Sequence, residues 1–111
     1  MTVVPFPGPR SIVIAYLQNP RDRFWGVLRS MDAIGIVIQG VDLNSFDDWV
    51  RQIGEGGEGL SPSTVFFPLA RVEKILADSD DGVVPSLARQ FEKRVGRTLL
   101  EFLHSGAESV D

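Results

Sequence analysis

The stretch RFWGVLRSMDAIGIVIQG, Arg23 to Gly40, constrains this chain more than any other. It holds two strand-like runs joined by a short link. In the first, Phe24, Gly26 and Leu28 alternate with Trp25 and Val27; in the second, Ile36 and Ile38 alternate with Val37. Period-two alternation on both sides of MDAIG predicts an antiparallel hairpin. A glycine inside the first run marks a bend or a close approach of two backbones, because it has no Cβ to hold them apart. Asp32 in the link is suited to accept hydrogen bonds from turn amides that the ladder leaves unpaired.

Elements can be laid out on either side of this hairpin. Residues 3–10 are punctuated by proline and glycine and read as an extended lead-in. SIVIAYLQ, 11–18, is β-branched and aromatic, and NPRD after it is a turn signal. In NSFDDWVRQIG, Phe46, Trp49, Val50 and Ile53 fall on one helical face, with Ser45 as N-cap and Gly54 as the left-handed terminator. The glycine-rich acidic segment 54–63 reads as a mobile loop. TVFF and RVEKILA then return to strand, and Pro68, which has no N–H for a ladder, suits a corner between them. From Pro85 and Ser86 onward, Leu87, Phe91, Val95, Leu99, Phe102 and Leu103 share a helical face opposite Arg89, Lys93, Arg94 and Arg97. Gly96 interrupts this pattern, and Thr98 and Glu101 have capping-box spacing, which favours two short helices over one. The tail AESVD reads as frayed.

The predicted class is therefore mainly β with added helices. Five strands, the second sharply bent, suggest a small closed barrel of SH3-like type over 11–77. A helical insertion and loop at 43–63 lie between strands three and four, and a C-terminal helix or helix pair spans 85–105. A length of 111 residues suits a single domain over 1–111.

The Sm-like expectation rests on particular residues. GVLRSMDAIGIVI resembles the first Sm motif as written in bacterial Hfq-type proteins: Gly26, Leu28, Ser30 and Asp32 match, and Met31 replaces an aromatic. AYLQN resembles the end of that family's first strand, and VFFPLARVEKI stands where its second motif belongs. The resemblance covers 11–40 and 64–77. It implies a small barrel that assembles through its edge strands, and a tyrosine face that stacks purines; Tyr16 matches the tyrosine and Arg23 a basic residue near the motif glycine. The family's uridine pocket is not matched. Its aromatic and its Lys-His pair read here Ile34, Pro68 and Leu69, which neither stack bases nor carry charge. The helix that precedes the family's barrel is replaced by the proline-rich lead-in.

Charge and composition bound the rest. The net charge is -4, which weighs against non-specific nucleic-acid binding. The distribution is uneven: Arg10, Arg21, Arg23 and Arg29 stand against Asp22 within residues 1–31, whereas 32–58 is strongly acidic. The chain has no cysteine and one histidine, so thiolate metal sites, disulfides and cysteine nucleophiles are excluded, and a cytoplasmic setting fits. His104 reads as a cation near a helix C-terminus or as an exposed residue. DSDDG, 78–82, lacks the distant glutamate of a calcium loop and reads as a solvated turn. No phosphate loop, zinc motif or triad appears, so no enzyme activity, cofactor or metal is expected. No apolar run approaches the roughly 18 residues of a membrane span.

Three functions follow. The first is a homo-oligomer or protein-interaction module, with Trp25, Trp49, Phe66 and Phe67 as interface candidates. The second is single-stranded RNA binding through Tyr16 and Arg23. The third is a small-ligand groove under loop 54–63.

Overall fold

The computed structural model describes residues 6–56 and 61–108, with side-chain environments through His104. It is mainly β, with five antiparallel strands in one open sheet, and three helices follow or interrupt them. The strands are β1 (Ile12–Leu17), β2 (Asp22–Met31), β3 (Gly35–Asp42), β4 (Ser63–Pro68) and β5 (Val72–Ala77). The helices are α1 (Phe46–Gly54), α2 (Leu87–Val95) and α3 (Leu99–Glu108). Contacts within the chain divide it into two compact units, 1–45 with 62–77, and 46–61 with 78–111.

In the first unit the strand order is β4-β3-β2-β1-β5. The strand pattern and the resemblance both lead to a closed barrel; the sheet is open instead, with β4 and β5 at its two ends and no ladder between them. It nevertheless curls around a single core. Val13, Ala15 and Leu17 of β1, Phe24 and Leu28 of β2, Ile36 and Ile38 of β3, and Phe67 of β4 form one buried cluster, with Val65, Val72 and Ile75 packed on it. A flat five-stranded sheet could not bring side chains from both end strands into one cluster. The curl also appears where β4 passes into β5. A three-residue 3-10 turn, Leu69–Arg71, joins the two ends of the sheet, its Leu69 N–H donating to Ile34 O (2.9 Å) and its Arg71 O accepting from Gln18 N–H (2.8 Å). Pro68 stands at this corner, as its missing N–H predicts.

The tightest point of the sheet is at two glycines. Gly26 on β2 pairs with Gly40 on β3, and a Cβ on Gly26 would lie 2.7 Å from Gly40 Cα and 2.8 Å from Gln39 C. Real side chains do not come so close, so the strands cross at a separation only glycine permits. Gly40 was not legible as the partner. Beyond it, the β2–β3 register shifts between Leu28 and Ser30, a bulge the sequence did not announce. Asp32 closes the hairpin, its Oδ1 accepting from Ile34 N–H (2.9 Å) and Gly35 N–H (3.2 Å). Both faces of β2 are buried near Gly26: Trp25 and Val27 are as inaccessible as Leu28.

In the second unit Trp49 of α1 stacks on Phe91 of α2 at 5.2 Å, and Phe102 of α3 meets both edge-on. Three apolar helix faces thus converge on one aromatic cluster. The break expected in the C-terminal helix is present. Gly96 ends α2 in the left-handed conformation (φ 89°), and Thr98 with Glu101 forms a reciprocal capping box opening α3. Three expectations need correction. The left-handed glycine after α1 is Gly56, not Gly54, because Gly54 is itself the last helical residue and the chain turns only after it. α3 continues to Glu108, so His104 is an exposed mid-helix residue rather than a C-terminal one, and of the tail only 109–111 lie outside the described residues. Residues 57–60 of the predicted loop also lie outside them, and with them the groove beneath it.

Gly26→Ala is expected to lower stability by about 1–3 kcal/mol, as overpacking does at a site that cannot relax. Urea denaturation measures this; a loss below about 0.5 kcal/mol would show that the two strands have room to part.

Candidate functional site

Tyr16 lies on the sheet face opposite the core. Its partners across the ladder are Arg23 on β2 and Lys74 on β5, so register alone sets an aromatic ring between two cationic side chains. Lys74 Nζ stands 4.7 Å from the ring centroid, a cation–π contact worth about 0.5–1 kcal/mol at an exposed position. These residues line a surface cleft of about 510 Å³ together with Arg21, Asp22 and Glu73. The β1–β2 turn that carries Arg21 is pinned by the turn between β4 and β5: Arg71 donates to Gln18 O (3.2 Å) and Pro20 O (2.9 Å), and Gln18 Nε2 donates to Ala70 O (3.1 Å). Arg21, Arg23 and Lys74 give the cleft an excess of positive charge over Asp22 and Glu73. Its chemistry is that of a stacking surface with cations around it, suited to a planar anionic group.

Beside this cleft the Asp42 and Asp22 carboxyls are neighbours. Burial pushes the Asp42 carboxyl above its ordinary value, and the neighbouring Asp22 carboxylate adds to the rise; the Asn44 amide, which donates to Asp42 Oδ1 at 2.8 Å, and Arg23 oppose it.

Tyr16 and Arg23 are brought together, and Lys74 joins them. Nothing local marks Lys74, because sequence places it far from Tyr16; only the β1–β5 pairing makes them neighbours. The interface candidates fare differently. Trp25 is fully buried, Trp49 is 3 % exposed and Phe67 is 8 % exposed against Phe24 at 5.4 Å, so these three belong to the chain's own interior and not to a surface. Phe66 is 48 % exposed. Ile34 and Leu69 are joined by a backbone hydrogen bond, and both are exposed apolar side chains.

The acidic segment before α2 has a structural task. Asp78 accepts from Leu87 and Ala88 N–H, and Asp80 accepts from Ser86 N–H (2.8 Å) and pairs with Arg89 at 2.6 Å. The Ser86 amide and then the Arg89 guanidinium hold the Asp80 carboxyl below the usual range. Helix-start amides thus engage the carboxylates that a cation would need. Among the described residues no group of three or more His, Cys, Asp or Glu side chains could hold a metal ion, and no helix is long and apolar enough to cross a membrane. A second, open groove of about 800 Å³ runs beside α2, where Arg89 and Arg94 are already paired with Asp80 and Asp47.

Because folding raises the Asp42 pKa, its ionised form subtracts from stability above that pKa, and the penalty vanishes below the unfolded-state value, where both states are protonated. Asp42→Asn, which keeps an acceptor for the Asn44 amide, is therefore expected to stabilise at pH 7, with the gain closing as the pH falls through the raised pKa. Urea melts across that range test it; a gain that is constant with pH would assign the effect to something other than charge. No family model, curated protein or solved structure matches this chain.

Proposed function

We propose that the chain is a non-enzymatic Sm-like assembly module, its curled sheet a small barrel left open along one seam and completed by copies of itself. The observation that carries this reading is the pair of unpartnered end strands. Among the described residues β4 and β5 each pair with a strand on one side only, and an open edge is a template for another strand. The exposed apolar side chains Met31, Ile34, Phe66 and Leu69 belong to β2, the β2–β3 turn, β4 and the turn after it, which supports association at the β4 side. Light scattering at several concentrations is the test. The expected mass is at least twice 12.2 kDa at the higher concentrations; a species of 12.2 kDa throughout overturns the proposal.

A second reading has its own observation, the setting of Tyr16 between Arg23 and Lys74. It is single-stranded RNA binding through that cleft, the base on the tyrosine ring and the phosphates on Arg21, Arg23 and Lys74. Binding to A-rich RNA is expected to weaken with salt, and Tyr16→Ala to cost about 1–3 kcal/mol, the measured worth of a base–aromatic stack. Titration by fluorescence anisotropy checks both; no binding, or binding insensitive to salt, removes this reading.

A further inference from the structure

The two open edges are not alike. β5 carries Glu73 and Lys74, and charge along an edge discourages strand addition. The segment SPSTVFFP, Ser61 to Pro68, carries no charge at all. Its hydrogen-bonding parity follows from its register on β3. Leu69 N–H donates to Ile34 O, and bonded pairs alternate in an antiparallel ladder, so Phe67, Val65 and Ser63 turn their peptide groups to β3. Thr64 and Phe66 turn theirs outward. Pro68 shares that outward parity and has no N–H to offer, nor has Pro62, which precedes the strand. The β4 edge is thus a short uncharged template with two donors, bracketed at both ends by proline.

We infer that β4 pairs with β4 of a second copy, antiparallel about a two-fold axis at Val65, joining two sheets through Thr64 and Phe66. This rests on the edge-strand assembly proposed above and specifies its partner. Thr64 and Phe66 of each copy exchange both backbone hydrogen bonds with Phe66 and Thr64 of the other, so every outward donor of the segment is used. Centring on Val65 overlaps the whole span from Pro62 to Pro68; centring on Thr64 or Phe66 shortens the overlap. An uncharged strand is its own best match here, since β5 would set Glu73 and Lys74 against it. The exposed Phe66 ring, which packs on Gly35 in its own chain, gains the Thr64 and Phe66 of the second copy as neighbours across the axis. The prolines limit the pairing to a dimer, because no further donor remains along that edge.

The absence of cysteine makes the test clean. At the axis Val65 faces its own copy in a non-bonded pair, where Cα atoms lie about 4.5 Å apart, within disulfide range. Val65→Cys is expected to form a disulfide-linked dimer under mild oxidation, whereas Thr64→Cys and Phe66→Cys cross-link only when mixed with one another. Phe66→Lys is expected to weaken association of the wild-type chain at least tenfold in light scattering. An oligomer that forms with neither the Val65→Cys disulfide nor the mixed Thr64→Cys and Phe66→Cys cross-link overturns this inference and leaves edge assembly standing. A chain that is monomeric at every concentration overturns both. Should Val65→Cys unfold, the mixed pair decides.

Discussion

The crossing of β2 and β3 at Gly26 and Gly40 is the constraint on which the sheet depends. With no Cβ on either residue, the backbones approach closely enough for the sheet to coil, and coiling is what gathers five strands around one cluster. Spread flat, the same strands would leave Leu17, Phe67 and Ile75 without common company. The short turn at Leu69–Arg71 is the other half of the device. It ties the β3 end of the sheet, through Ile34, to the β1 end, through Gln18, so the curl is held at both the crossing and the corner.

The same coil decides where chemistry can gather. Tyr16, Arg23 and Lys74 come from three strands, and their meeting needs only the β2-β1-β5 order and its register. Much of the rest of the charge is engaged in structure. Asp32 closes a hairpin, Asp78 and Asp80 cap α2, Glu101 caps α3, and Arg71 holds the β1–β2 turn. An acidic chain can therefore present a locally positive cleft, because many of its carboxylates face the chain's own amides.

Local chemistry was legible and distant pairing was not. Period-two runs, Pro68 at its corner, Gly96 between two helices and the Thr98–Glu101 box are each decided within a few residues, so the sequence displays them directly. Gly40 and Lys74 matter only through partners on other strands, and no pattern in their own neighbourhoods marks them. DSDDG has the pattern of a solvated turn because its hydrogen-bond partners lie six to ten residues downstream, beyond the reach of turn rules. Tryptophan and phenylalanine are enriched both in interiors and at interfaces, so residue type could not separate Trp25, Trp49 and Phe67 from the exposed Phe66. Closure of the sheet depends on whether two end strands meet, and the strand pattern is the same in either case.

The chain has two tryptophans, and each compact unit holds one: Trp25 within the sheet, Trp49 against Phe91 and Phe102 among the helices. Both indoles are hidden from solvent, so each emits from a dry setting in the folded chain. Replacing either by phenylalanine leaves a single built-in optical probe, placed on a strand in one variant and on a helix in the other, without any added dye.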